Sequence, residues 1–410
     1  MRRQIIGSLL SLLAFASVAS AATHPVLESF GLRPEDVPHD VYLVRSQRPL
    51  PSDIPLDVLA RGSDTVLIAA TPGTLEALTE RGFPFLRIDP TLEAPTIPPR
   101  YWDTITEPDP RIQTVVDAVE WDRVRARIQQ LQHYGTRWSF SSQCDVAADW
   151  LYGFFEARDL PTEFHHFELL GKQLRNVVAT QVGVVHPDSV LVVCGHYDSL
   201  SDHPETDAPG ADDNASGVTG VLTAADLLSQ LSFEYTIKYI CFSGEEQGRH
   251  GSRAYAKDAR DAGMAIIGAV NFDMLGYWSD RRPMDFDLDL EANEASAWLM
   301  EAVVNAARLY TDMPCDPHVY NAASWSDHAS FWDFGYAGVN NEEAFLWTDD
   351  DFNQASHSLA DRLELIDEDF AVGSVKVAVA AVATLARLLD EPTKDESPSI
   401  GSLKGSYHRP

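Results

Sequence analysis

Three short apolar runs in the middle of the chain each end on a turn that carries charge. Residues 190–194 lead into Gly195-His196-Tyr197-Asp198, and residues 237–242 into Ser243-Gly244-Glu245-Glu246. Residues 265–272 end on Asn271-Phe272-Asp273-Met274. Continuous apolar runs bounded by turns read as strands buried on both faces. Between them lie segments of helical spacing: over 216–231, Val218, Val221, Leu222, Ala225 and Leu228 share one face. Strands alternating with such helices predict an α/β fold, a mixed, mostly parallel central sheet flanked by helices on both faces. Ligands of such sheets bind beyond the carboxyl ends of the strands, where these charged turns fall.

The same reading places helices at 112–134, 145–158, 252–262, 293–310 and 370–389, and strands at 177–182 and 337–340. The body spans 111–391. Before it, residues 22–88 form a small α/β module, with strands at 41–44, 65–70 and 83–88 and a helix at 72–81. A linker containing Pro90, Pro95, Pro98, Pro99, Pro108 and Pro110 follows. A small module on an extended, cleavable link reads as a pro-region over 22–110, and so as a zymogen. Residues 1–21 read as a secretory signal peptide: Arg2 and Arg3, an apolar middle, then Ala19-Ser20-Ala21. Residues 392–410 are polar and read as a flexible tail.

The net charge is −31, and removing residues 1–21 takes away Arg2 and Arg3 and no acid, giving −33. Such a chain repels nucleic acid and anionic membranes. It is expected to be a secreted monomer, extracellular or periplasmic. Of the four cysteines, Cys194 and Cys241 sit in strand-like runs as buried thiols, while Cys144 and Cys315 are open to pairing after export.

The charged turns offer chemistry. His196 and Asp198 lie two apart, which in an extended segment puts them on one face. The turn Gly210-Ala-Asp212-Asp213-Asn214-Ala-Ser216-Gly217 crowds two acids at a helix start, where a cation offsets their repulsion or Asn214 or Ser216 caps the helix. Glu245 and Glu246 diverge, leaving one for metal and one for protons. Asp273 ends its strand. His357 precedes Asp361 and Glu364, acids placed to orient it. His328 in Ser326-Asp327-His328 is a rival donor or a structural residue; His165, His166, His203 and His250 read as surface or structural. Together these groups are the inventory of a two-metal hydrolase with a general base.

These motifs resemble the co-catalytic dizinc aminopeptidases of metallopeptidase family twenty-eight, of the secreted bacterial leucyl type. The likeness covers about residues 111–390 and includes Pro209-Gly-Ala-Asp-Asp213, Thr311-Asp-Met-Pro314 and Ser326-Asp-His-Ala-Ser330. It implies the zinc exopeptidase fold with an eight-stranded sheet, and two zinc ions. One is held by His196, Asp213 and Asp273, the other by Glu246, Asp213 and His357, with Asp213 bridging. It further implies a cis peptide after Asp213, Asp198 orienting His196, and Glu245 as general base. His328 is not a ligand in this mapping. The implied activity is hydrolysis of the N-terminal residue from peptides or proteins. The chain departs from the pattern at Ala323, where relatives carry a Tyr flanked by paired cysteines; Tyr320 or Ser324 stands nearby. The segment 340–357 is rich in acids and includes Glu342, Glu343, Trp347, Asp349, Asp350 and Asp351. A carboxypeptidase, a glutaminyl cyclase and a non-catalytic binding scaffold are the other readings of such a chain. The first needs a basic pocket, against scattered Arg249, Arg253, Arg281 and Arg282; the last is opposed by a complete set of donors.

Overall fold

The structure is a computed structural model that describes residues 107–389, apart from 279–285, 322–324, 346–348 and 350, together with parts of 27–88. The segments read as signal peptide and tail, most of the proline-rich linker, and Arg281, Arg282, Ala323, Ser324, Trp347 and Asp350 lie outside the described residues.

The N-terminal module has strands β1 (Val41–Arg45), β2 (Asp57–Arg61), β3 (Thr65–Ala69) and β4 (Phe85–Ile88), and helix α1 (Pro72–Thr79). The strands form an antiparallel sheet in the order β2-β3-β1-β4. Its faces carry separate small cores, one around Leu27, Val41 and Leu67, the other around Val44, Ile68, Leu78 and Phe83. Alternation along β1 and β3 explains the division, since neighbouring residues point to opposite faces.

The body is built on eight strands: β5 (Thr162–Leu169), β6 (Lys172–Gln181), β7 (His186–His196), β8 (Tyr235–Phe242), β9 (Ala265–Phe272), β10 (Leu288–Ala292), β11 (Cys315–Val319) and β12 (Gly338–Glu342). Their order is β11-β10-β12-β9-β7-β8-β6-β5. The centre, β12-β9-β7-β8, is parallel, while β6, β5 and β10 introduce antiparallel pairings. The expected mixed sheet is present, with its parallel part where the charged turns are.

Alternate residues of the central strands feed two cores. Leu191, Val193, Ile237, Tyr239 and Val270 pack against helices α2 (Pro110–Asp117), α3 (Trp121–Gln132), α4 (Ser142–Glu156), α5 (Gly217–Leu228), α7 (Ala297–Tyr310) and α9 (Glu368–Leu385). Val190, Val192, Cys194, Ile240 and Phe242 pack against α6 (His250–Asp261) and the region of α8 (His328–Asp333). Helices therefore cover both faces, and the strands read as unbroken apolar runs because both sides are buried. No helix among the described residues is long and apolar enough to cross a membrane.

Several elements differ from the sequence reading. The helix expected over 112–134 is two, α2 and α3, because Glu120 is extended (φ −122°, ψ 139°) between them. The apolar spacing continues across the break since both helices face the same core. Strands β2, β5, β10 and β11 were not foreseen: three have mixed or exposed patterns, and β10 (Leu-Asp-Leu-Glu-Ala) hides acids inside a buried strand. Cys144 and Cys315, left open as a pair, are both free thiols.

Candidate metal centre

The parallel strands deliver the charged turns to one edge of the sheet. His196 is the last residue of β7, Asp273 follows β9, and Glu245 and Glu246 follow β8 after the tight turn at Gly244 (φ +74°). Register fixes this grouping: His196 pairs with Phe242 and Cys194 with Asn271. The acidic turn Ala211–Ser216 precedes α5, and its peptide bond Asp213–Asn214 is cis, as the resemblance implies. Asn214 locks this turn to the end of β9. Its Oδ1 accepts from the amides of Gly217 and Met274, and its Nδ2 donates to the Phe272 carbonyl at 2.9 Å. Asn214 thus holds the helix start, while Ser216 turns its hydroxyl to the Asp212 carbonyl.

Asp213 stands between two sets of donors. Its Oδ1 lies 3.4 Å from His196 Nε2, which is also 3.2 Å from Asp273 Oδ1. Its Oδ2 lies 3.1 Å from His357 Nε2, which is 2.9 Å from Glu246 Oε2. Donors around a tetrahedral cation with bonds near 2.1 Å are expected about 3.4 Å apart, so both sets match a zinc-sized ion. Glu246 Oε1 is buried without a hydrogen-bond partner, another mark of a site shaped for a cation. One imidazole and two carboxylates per set, one of them shared, is chemistry suited to zinc. The two adjacent sets fit a binuclear zinc site.

Charge on the bare site follows the same geometry. Burial works against a protonated His196, yet Asp273, Asp198 and Asp213 outweigh it and push its titration well above the ordinary range. His357 is raised in the same way by Glu246 and Asp213. Burial acts to raise the Asp213 carboxyl, but the two imidazoles hold it well below the usual carboxylate range. Burial pushes Glu246 up to about 7 and holds Glu245 well above its ordinary value.

The expected residues are brought together, and the structure adds partners that sequence reading missed. His196 Nδ1 donates to the Asp198 main-chain carbonyl at 3.2 Å, leaving Nε2 for the centre; the Asp198 carboxylate is 3.7 Å away. That carboxylate instead accepts from Ser139 Oγ and from the amides of Glu245 and Glu246. Ser326 Oγ donates to Asp273 at 2.5 Å and Ser356 Oγ to Asp213 at 2.7 Å. Asp361, expected beside His357, turns to the acidic turn, accepting from the amides of Asp212 and Asp213 at 3.0 Å each. Arg137 and Ser139 sit in the loop joining α3 to α4, far from any motif in sequence. The one sequence cue is an arginine with no acid between Asp122 and Asp145 to pair with.

His328 is buried, its ring edge-on to Trp332, and belongs to neither donor set. A third group, Asp289, Asp316 and His318, lies apart on β10 and β11, where His318 Nε2 is 2.6 Å from Asp289. Beside the centre is a cavity of about 670 Å³, lined by Trp138, Phe140, Leu170, Leu200 and Glu246, with Phe83 of the N-terminal module on its wall.

Comparison with known proteins bears on the fold and the family. A probable zinc metalloprotease of Pyricularia oryzae is 29% identical over 344 residues, 68% of this chain and 67% of its own. The crystal structure of the Legionella pneumophila LapA aminopeptidase superposes with a TM-score of 0.66 at 19% identity, over 86% of this chain and 100% of its own. That of a Porphyromonas gingivalis glutaminyl cyclase does so with a TM-score of 0.52 at 17% identity, over 64% of this chain and 97% of its own. At these identities the two structures establish the fold. Residues 176–383, just over half of the 410, match Peptidase family M28, and so the chain belongs to that family.

Proposed function

We propose that the protein is a two-zinc aminopeptidase that removes the N-terminal residue from peptides or proteins. The observation that carries this reading is Asp213, whose two carboxylate oxygens each face a separate imidazole–carboxylate set. In this reading His196, Asp213 and Asp273 hold one zinc, and Glu246, Asp213 and His357 the other. Bound zinc supplies an acidified water and polarisation of the scissile carbonyl. Glu245 takes the proton of the attacking water and delivers it to the leaving amine. Its raised titration, set first by burial, suits a group that must hold a proton and release it. Asp198 braces the two glutamates through their amides. The carboxylate-rich walls favour a positively charged α-amine, and the aromatic cavity beside Glu246 offers room for apolar substrate side chains.

Arg253 is engaged by Asp333, and Arg249 is buried and faces the Ser326 carbonyl. Neither offers a carboxypeptidase pocket. Residues 22–110 act as a pro-region in this account, with export directed by residues 1–21. Support comes from Phe83, which lines the cavity shared with Glu246, so that the module restricts access until it is cut away.

The test compares aminoacyl chromogenic amides with their N-acetylated twins, before and after trimming near residue 110. Cleavage restricted to free amines and increased by trimming is the expected outcome. Equal cleavage of the acetylated twins, or cyclisation of N-terminal glutamine without hydrolysis, would refute the aminopeptidase reading. Unchanged activity on trimming would remove only the pro-region.

A further inference from the structure

Arg137 is fully buried, yet none of its hydrogen bonds goes to a side-chain acid. Its guanidinium donates to three main-chain carbonyls, Tyr197 from Nε, Pro209 from Nη1 and Gly210 from Nη2, each at 2.7 Å. Tyr197 lies between His196 and Asp198. Pro209 and Gly210 lead directly into the turn that carries Asp213. The backbone of Arg137 reinforces the link: its amide donates to Ser199 Oγ at 3.1 Å and its carbonyl accepts from the Ser199 amide. One planar fork therefore joins two separate metal-bearing segments.

The other side of the acidic turn is held by the opposite charge. Asp361 is buried, and its carboxylate accepts from the amides of Asp212 and Asp213 while its main-chain carbonyl accepts from Ala211. The carbonyls entering the turn meet a cation, and the amides within it meet an anion. Gly210 shows how closely the parts fit. At φ +50° an added Cβ would lie 2.9 Å from Arg137 Nη2 and 2.5 Å from the Asp213 carbonyl oxygen. A buried cation is costly unless its surroundings compensate it, and the acids Asp361, Asp198 and Asp213 surround this one.

We infer that Arg137, with Asp361 opposite, is a positioning residue of the two-metal centre: it sets the spacing between the His196 segment and the Asp213 turn, and through the shared Asp213 governs zinc affinity at both sites. This rests on the donor assignment proposed above. Lysine cannot replace it, because one ammonium does not span these three separate carbonyls as a guanidinium fork does. Partners that orient metal ligands are worth about 10–100-fold in affinity.

The test measures zinc dissociation constants by competition with a chromogenic chelator. The full-length chain would be compared with Arg137→Lys, Arg137→Ala and Asp361→Asn. Arg158→Met serves as a control, since Arg158 braces Asp226 at the far end of α5, away from the centre. Arg137→Ala is expected to weaken both zinc sites by about 10–100-fold, with millimolar guanidinium restoring part of the loss and ammonium none. Arg137→Lys and Asp361→Asn are expected to weaken both sites as well. Arg158→Met is expected to lower thermal stability at unchanged zinc affinity. Should Arg137→Ala fail to fold, Arg137→Lys and Asp361→Asn decide the matter. Variants that lose stability but bind both zinc ions as the unaltered chain does would overturn the inference. An unaltered chain that binds no zinc would overturn the donor assignment instead.

Discussion

The Asp198 carboxylate reaches the backbone amides of both Glu245 and Glu246, at 3.3 Å each, while the main-chain carbonyl of the same residue receives His196 Nδ1. One residue thus joins the end of β7 to the turn after β8. Its side chain acts chiefly on the glutamates, and its backbone on the histidine. Asp198→Ala is therefore expected to lower kcat by about 10–100-fold and to weaken the zinc held by Glu246 more than the zinc held by His196. Site-resolved zinc titration beside steady-state kinetics checks this. Greater weakening of the zinc held by His196 would show that the carboxylate acts mainly through His196.

Glu245 belongs to neither donor set, so its removal separates chemistry from metal binding. Glu245→Gln is expected to keep two zinc ions and to lose about 100- to 10,000-fold in kcat. Elemental analysis with single-turnover kinetics provides the readout. Loss of a zinc ion from this variant would make Glu245 a ligand.

The two donor sets differ in exposure. The His196 side chain is 1% exposed and that of His357 is 52%. Water and chelators reach the second set first. Stopped-flow chelation is expected to remove zinc in two phases, the faster one assigned by its acceleration in His357→Ala. Release of both ions in a single phase would argue against this asymmetry.

A pH effect is expected away from the centre. Burial pushes Asp289 up to about 6 against the pull of His318, with Asp287 and Asp351 adding to the rise. His318 is raised by its hydrogen bond to Asp289, against burial, with further help from Asp316 and Asp287. Both groups titrate above their ordinary values in the fold, so each stabilises when protonated and that contribution fades as pH rises. For Asp289 the loss runs from about pH 4 to about 6, and for His318 it continues above about 6.5. The urea midpoint of the zinc-loaded protein is expected to fall between pH 6 and 9, and less steeply in His318→Gln. Parallel profiles would place the titration elsewhere.

Part of the centre was legible because several of its groups sit in short local patterns at the ends of apolar runs: His196 ends β7, and Glu245, Glu246 and Asp273 follow β8 and β9. Asp213 and His357 lie on a turn and a loop, and were assigned as donors only through the resemblance. The central strands were legible for the same reason, since burial on both faces leaves no polar interruption. Arg137, Ser139 and Asp361 were not, because their partners are main-chain groups or loops distant in sequence, and a backbone carbonyl leaves no trace in residue identity. Strand β10 was hidden by Asp289 and Glu291, acids that are buried in the fold though they read as solvent-facing. Asp361 was assigned to His357 by proximity along the chain, while the fold carries it to the turn at Asp213.

Anomalous diffraction at the zinc edge from zinc-loaded crystals tests the two-metal centre most directly. The expected map holds two peaks, one among His196, Asp213 and Asp273 and one among Asp213, Glu246 and His357, with an Asp213 oxygen against each. A single peak, or zinc at Asp289, Asp316 and His318 with none at Asp213, would contradict it.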